Sequence, residues 1–408
     1  MVRTLIHVLL WAISLVAAYL YARFQGGFAS WFLLSATSVI AVYEFLTRLL
    51  AGRGMRSRRF LSATGLTAGQ DLDVELDVQF ANRWPVVWLA IEDQIPRELQ
   101  IRGAVNRRIF FPGFQTKLWM RYKISNLQRG KYTFGDTVFR TSDIFGFERR
   151  KMVHRRNDSI TVYPKMVPIH TWNTVNRLNN GLSFAQNQAV EDTVNVLGIR
   201  EYAPGDRLSQ IHWRTTAKTG RLMTKEFEWH STNEWVLFFN RNAEDFAAES
   251  LITFETAVTV AASLMRYGLH KKHAVGLVSY GKERMAIPPY RSQDQFLKVL
   301  DHLAVVQPDS ELPFTAVLLR ELAYLPKGAT AVLITPVIGD ELVKVMDLLH
   351  YRRIKSELFL LKSHSHLSER ERTCLVKLEK YGVLTHLIGS EQDLAGTIGG
   401  ATVRAANN

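Results

Sequence analysis

The chain has 408 residues, 47% hydrophobic and 22% charged, with a formal net charge of +13 and a sequence pI of about 9.8. That length exceeds one ordinary domain and suits two or three, and the apolar content lets most of the chain bury a core. The single cysteine, Cys374, excludes an internal disulfide and a multi-thiolate zinc site, while the basic excess favours anionic partners: phospholipid headgroups, nucleic acid or an acidic protein face.

Thr4 to Ala22 is almost wholly apolar, and a second run covers Phe28 to Val42, extending to Leu50 past Glu44 and Arg48. Each stretch is near the ~20 residues that a spanning helix needs. The link Arg23-Phe24-Gln25-Gly26-Gly27 is so short that it predicts a helical hairpin over 1–50. Arg48, Arg53, Arg56, Arg58 and Arg59 crowd the exit of the second run, and only Arg23 sits in the turn. The positive-inside rule then assigns everything after the exit to the cytoplasm. A cleaved signal peptide is the competing reading; the second run and the lack of a small-residue cleavage site weigh against it. Residues 51–61 read as a basic juxtamembrane linker.

From 62 to 165 the pattern turns to period two. Leu72 to Phe80 and Lys117 to Ile124 alternate apolar and polar, and Val86 to Ile91, Tyr132 to Phe139 and Ile160 to Tyr163 read as further strands. Gly, Pro and Asn separate them, as at Asn82-Arg83-Trp84-Pro85 and Arg129-Gly130, which predicts an antiparallel β-sandwich. Residues 166–197 read as a linker.

The densest stretch follows, at 198–232. Gly198-Ile199-Arg200-Glu201-Tyr202-Ala203-Pro204-Gly205-Asp206 precedes Ile211-His212-Trp213-Arg214, then Ala217-Lys218-Thr219-Gly220, Leu222, Lys225, Glu226 and Phe227. Pro204-Gly205-Asp206 is a turn by composition, and Asp206 is placed to cap a helix starting near Leu208. This run resembles the signature of the bacterial domain-of-unknown-function 58 family. Arg129-Gly130-Lys131-Tyr132, Asp143-Ile144-Phe145-Gly146 and Val162-Tyr163-Pro164 fit the wider family layout. The resemblance implies an inner-membrane, multi-pass protein whose C-terminal region is von Willebrand A-like. It also implies partners: a MoxR-type AAA+ ATPase and a transglutaminase-like membrane protein. Arg200, Tyr202, Asp206, His212, Trp213, Arg214, Lys218 and Lys225 are the candidate docking residues. The competing readings are a structural network that locks the linker onto the next domain, and an envelope-associated hydrolase with His212 as base and Asp206 as its orienter. No nucleophile or oxyanion arrangement accompanies that pair, so no catalytic residue is assigned.

Over 233–390 strands alternate with helices. Glu234 to Phe239, Ala274 to Tyr280, Ala329 to Thr335, Glu357 to Leu361 and Val383 to Leu387 are apolar strands; amphipathic helices fall between them. Such a pattern predicts a mainly parallel sheet covered on both faces, a Rossmann-like module, whose ligands bind at the carboxyl ends of the strands. In a von Willebrand A domain that edge holds a hard cation on Asp-x-Ser-x-Ser, a Thr and a second Asp. Here Asn240 stands for the Asp, Asn242 and Glu244 for the serines, Thr315 is the candidate threonine, and Pro336 lies where the second Asp belongs. Neutral amides beside Arg241 suit a divalent cation poorly, so neither metal nor cofactor is expected. His364-Ser365-His366 lacks a third ligand, no phosphate-binding glycine loop is present, and 391–408 reads as a C-terminal tail, frayed from Ala401 to Asn408. The leading expectation is a membrane-tethered interaction factor; a binder of anionic lipid or nucleic acid is the alternative, with lipid favoured because the basic excess is dense beside the membrane.

Overall fold

The computed structural model describes residues 2–50, 54–81, 84–100, 106–146, 149–172, 196–203, 208, 211–227, 234–247, 251–325, 328–352, 354–362, 366–395 and 397–398. They form two compact units, Met1–Tyr163 and Pro164–Asn408.

The first unit opens with two helices, α1 (Val2–Gln25) and α2 (Phe28–Leu50), joined at Gly26 and Gly27, whose φ of 62° and 87° reverse the chain where a side chain would be strained. α2 is long and apolar enough to cross a membrane; the described apolar stretch of α1, Leu9–Gln25, is shorter. Leu9, Ile13, Val16, Trp31, Phe32 and Val39 are exposed on these helices, an apolar surface that water does not favour. The hydroxyls of Ser30, Ser35, Thr37 and Ser38 donate to carbonyls one turn back, so they need no water to be satisfied.

Strands fill the rest of the unit: β1 (Arg56–Leu61), β2 (Gly65–Thr67), β3 (Leu72–Gln79), β4 (Trp88–Asp93), β5 (Arg107–Phe110), β6 (Lys117–Ile124), β7 (Gly130–Phe134), β8 (Thr137–Ser142), β9 (Arg149–His154) and β10 (Asp158–Tyr163), with one helical turn, α3 (Arg97–Gln100). They make sheets ordered β1-β3-β6, β2-β10-β7 and β5-β4-β8-β9, antiparallel except for the parallel pair β2 and β10. Leu72, Val74, Leu76, Val78, Leu118, Met120, Ile124, Phe134, Phe139, Ile160 and Val162 share one buried cluster, as the period-two pattern requires.

Two expectations are corrected here. The stretch expected as a basic linker, 51–61, holds β1, paired with β3 from Arg56↔Gln79 to Leu61↔Val74. Its alternation points Arg56 and Arg58 outward and Arg59 inward, so Arg59 does not belong to the basic collar at the helix exit. And the single strand expected from Tyr132 to Phe139 is broken at Gly135-Asp136. Gly135 N–H donates to the Gln94 carbonyl, and the two halves, β7 and β8, join different sheets.

Arg59 is fully buried. Its Nε reaches Asp93 Oδ2 at 3.0 Å, Nη2 meets Asp93 Oδ1 and donates to the Gly135 carbonyl at 2.9 Å, and Nη1 reaches Asp158 at 2.8 Å. Asp93 also accepts from Tyr122 Oη at 2.6 Å and Thr137 Oγ1 at 2.9 Å. Burial and then the Asp93 carboxylate push the Tyr122 hydroxyl far above the usual phenol range, so it remains a donor at any physiological pH.

The second unit is α/β. Its strands are β11 (Thr171–Trp172), β12 (Val196–Glu201), β13 (Met223–Phe227), β14 (Glu234–Phe239), β15 (Ala274–Tyr280), β16 (Arg284–Tyr290), β17 (Thr330–Thr335), β18 (Lys355–Leu360), β19 (Leu384–Leu387) and β20 (Thr397–Ile398). Its helices are α4 (Trp213–Thr219), α5 (Ala243–Ala247), α6 (Leu251–His270), α7 (Gln293–Val305), α8 (Phe314–Glu321), α9 (Asp340–Tyr351), α10 (Glu369–Lys380) and α11 (Gln392–Ala395). Six strands form one sheet in the order β16-β15-β14-β17-β18-β19, parallel except for β16. On one face Phe239 and Trp235 meet Phe254 and Tyr267 of α6; on the other Val236 and Phe238 pack with Leu318, Met346 and Leu375 of α8, α9 and α10. Strands buried on both sides read as continuous apolar runs. β16 escaped the sequence because Pro288 and Pro289 interrupt it; an edge strand tolerates proline.

The linker expected over 166–197 and the tail expected over 391–408 are corrected in the same way. β11 pairs in parallel with β20, and the Trp172 indole lies in the core against Trp235, Tyr267 and Phe359. Residues 173–195 and 399–408 lie outside the described residues.

Candidate functional site

β12 and β13 form an antiparallel ribbon of their own, paired from Val196↔Phe227 to Glu201↔Met223. α4 is built into the chain returning from it. His212 is its N-cap: Nδ1 accepts from Thr215 N at 3.1 Å and lies 2.8 Å from Thr215 Oγ1. Nδ1 is thus the ring's acceptor, and Nε2 is left as its donor. His212 N donates to Met223 O, Met223 N to Thr216 Oγ1, and Tyr202 N to Leu222 O. Gly220, at φ 69°, closes the helix and returns its N–H to Thr216 O, a left-handed position that suits glycine. The described part of the family-like motif is thus a clip, its helix tied to the ribbon by bonds at His212, Thr216, Gly220 and Met223.

What the clip displays is cationic and apolar. Trp213 is 66% exposed and Leu208 70% exposed. Arg214 and Lys218, one turn apart on α4, are exposed, as are Ile199 and Arg200. Arg200 Nη1 donates to the neighbouring Glu201 carbonyl, and Arg221 pairs with Glu201 at 2.9 Å in the open. Tyr202 and Lys225 are half-buried. His212 is thus a helix cap, and Arg200 and Arg214 are exposed. Asp206, with Pro204 and Gly205, lies outside the described residues, as do His364 and Ser365.

The second place is the carboxyl edge of β14, where strand order reverses between β15 and β17, the usual ligand position in such sheets. Asn240 is fully buried. Its Nδ2 donates to Asp245 Oδ2 at 2.7 Å and Thr335 Oγ1 at 2.9 Å, and its Oδ1 accepts from Asn242 N at 2.8 Å. Asn242 takes the Asp245 N–H on Oδ1 and gives its Nδ2 to the Leu312 carbonyl. Sequence reasoning chose Glu244, but Glu244 is exposed and Asp245 is the carboxylate at this edge. Thr315 is half-buried and Pro336 buried. Beside them Arg241 pairs with Asp309 and donates to Gln307 O and Ser279 Oγ. Ser279 also lies 3.0 Å from His302 Nε2; burial, then the Arg241 guanidinium, push that imidazole down to about 4, so it is neutral at pH 7.

This donor set does not fit a hard cation. One carboxylate, Asp245, faces an amide nitrogen that already bridges it to Thr335, and a guanidinium stands next door. Among the described residues no three His, Cys, Asp or Glu side chains converge. Asn240→Asp is expected to set a second carboxylate against Asp245, destabilising the unit in chelator and recovering with magnesium. Thermal unfolding with and without magnesium measures this; wild type and variant responding alike to the ion would end the reading.

The family model described as "Protein of unknown function DUF58" matches residues 198–358, from the clip through β18. The uncharacterized protein YeaD of Bacillus subtilis (strain 168) is 30% identical over 309 residues, 75% of this chain and 76% of that protein. The chain belongs to the DUF58 family. Solved structures resemble this DUF58 protein weakly: the C-terminal domain of wzt, with TM-score 0.19, 14% identity, and 28% of this chain and 75% of that chain covered; and Cwp6 from Clostridium difficile, with TM-score 0.17, 10% identity, and 81% and 45% covered. Scores this low carry no argument about the DUF58 fold.

Proposed function

We propose that this DUF58 protein is a membrane-tethered docking factor, with α1 and α2 as a two-pass hairpin in the bacterial inner membrane and the chain after α2 in the cytoplasm. The first unit's strands are read as a β-sandwich. The second is read as a von Willebrand A-like module, an assignment supported by the order β16-β15-β14-β17-β18-β19 with one antiparallel edge strand. The observation that carries the docking role is the clip: Trp213 stands in solvent beside Arg214 and Lys218 on a short helix capped by His212 and closed at Gly220. Tryptophan and arginine held rigidly on a surface are the residue types that dominate protein-binding energy. A MoxR-type AAA+ ATPase, the partner that the family likeness suggests, is the partner proposed for this face.

The experiment is retention of that ATPase on the full-length protein in detergent. A Trp213→Ala, Arg214→Ala double variant is expected to weaken binding about thirtyfold, the scale of one strong hot spot. Its unfolding transition should match wild type, because neither side chain packs in a core. Equal retention by the two proteins would sink the docking role of the clip.

A further inference from the structure

A second exposed apolar surface lies on the first unit, at the end of its strands nearest α2. After β5 the chain turns through Phe111-Pro112-Gly113-Phe114; Phe111 is 78% and Phe114 75% exposed, and Ile109 beside them is exposed. Arg107 and Arg108, four and three residues before Phe111 on β5, are exposed too. The turn thus holds two aromatic rings in open water, on the strand that carries two exposed guanidinium groups.

The contacts of α2 locate this turn. Gly113 bridges to Val86, and Trp84, two residues before Val86, donates its Nε1–H to Thr47 of α2 at 3.2 Å. A second loop, Ile144-Phe145, is exposed alongside: the Phe145 ring stands edge-on to Tyr43 of α2 at 6.2 Å. Arg150, just after it, donates to the carbonyl of Arg48. The chain path agrees. Only residues 51–55 separate α2 from β1, a reach of at most ~20 Å, and β1 starts at Arg56 opposite Gln79, which pairs with Lys117 just past the aromatic turn. The opposite end of the same sheet, where Leu72 pairs with Ile124, is roughly 23 Å away along β3.

We propose that this rim, Phe111, Phe114, Ile144 and Phe145 with Arg107 and Arg108, is seated in the headgroup region of the leaflet from which α2 emerges, so that the first unit lies on the bilayer rather than hanging beneath it. The proposal rests on the reading of α2 as a membrane span. Tyr43 precedes the helix end by seven residues, so it sits roughly 10 Å inside that end, and a ring touching it shares its depth. Aromatic tips at the acyl boundary with cations at phosphate level are the pattern of interfacial binding. The occupant is an anionic lipid surface, because the charge beside the rings is positive and the membrane is already within reach.

The test uses the full chain with its single buried cysteine removed by Cys374→Ala and one new cysteine carrying an environment-sensitive fluorophore, in vesicles of phosphatidylcholine and phosphatidylglycerol. Sites are Phe114→Cys, Phe111→Cys as a second reporter, Val39→Cys in mid-α2 and Ser125→Cys at the far end of the sheet. A nitroxide high on the acyl chain is expected to quench the labels at 114 and 111 about twofold or more. One near the chain end should quench the label at 39 most, and neither should reach the label at 125. If 39 is quenched while 114 and 111 report water, the rim proposal fails and the span stands. If 39 also reports water, both fail. If 114 is shielded from water but untouched by either nitroxide, a second copy of the chain covers the rim and the lipid assignment is overturned.

Discussion

Arg59→Ala is expected to cost the first unit about 3–5 kcal/mol, enough to unfold many domains of its size. The guanidinium is wholly buried and bonds both Asp93 oxygens, Asp158 and the Gly135 carbonyl. Removing it leaves the Asp93 charge, 0% exposed, with the Tyr122 and Thr137 hydroxyls, among the described residues, for compensation. Arg59→Lys should fall between wild type and alanine, since an ammonium keeps the charge but cannot fork across two carboxylate oxygens. Denaturant unfolding of the full chain in detergent should show two transitions, because the chain has two units. Only the one belonging to the first unit should move. A shift there of less than about 0.5 kcal/mol, the range of an ordinary surface substitution, would show that the buried network is not what holds β1 to its neighbours.

The second large effect belongs to the other unit. Trp172 is 1% exposed and packs on Trp235, Tyr267 and Phe359, and its Nε1–H reaches Glu357 Oε2 at 2.9 Å. Trp172→Ala is expected to cost about 3–5 kcal/mol, combining the lost indole surface with the cavity left behind. It also strips a donor from a buried carboxylate that His386 Nε2 approaches at 3.4 Å. Trp172→Phe separates the two contributions: it refills much of the space and loses only the hydrogen bond, for about 1–3 kcal/mol. Here the first-unit transition should stay in place while the second moves. Identical stability of wild type and Trp172→Ala would mean that the segment before 173 is a mere tether after all.

These two residues show where sequence reading stops. Arg59 sits in an arginine-rich run after an apolar helix, and counted by composition it joins a basic collar; only its register opposite Leu76 turns it inward. Trp172 stands in a stretch with no periodicity of its own, so its burial depends on strands and a helix far along the chain. The sheet edge repeats the point. Asn240 and Asn242 were legible because they follow an apolar strand, but Asp245 and Thr335 were not, since one lies on a short helix and the other ends a strand 95 residues away. At the clip, the residue types were legible and their roles were not: His212 has the look of a base and serves as a helix cap.

The sequence by itself determined the apolar helices, the change from period-two strands to alternating strands and helices, and the segment that marks the family. All of these are written in near neighbours, where side-chain spacing alone selects a face. The tertiary structure decided which charges are buried, which of Glu244 and Asp245 meets Asn240, and which aromatics are left in the open beside α2. Each of those depends on pairing between distant segments, and a hydrogen bond or a void carries no local periodicity from which it could be read.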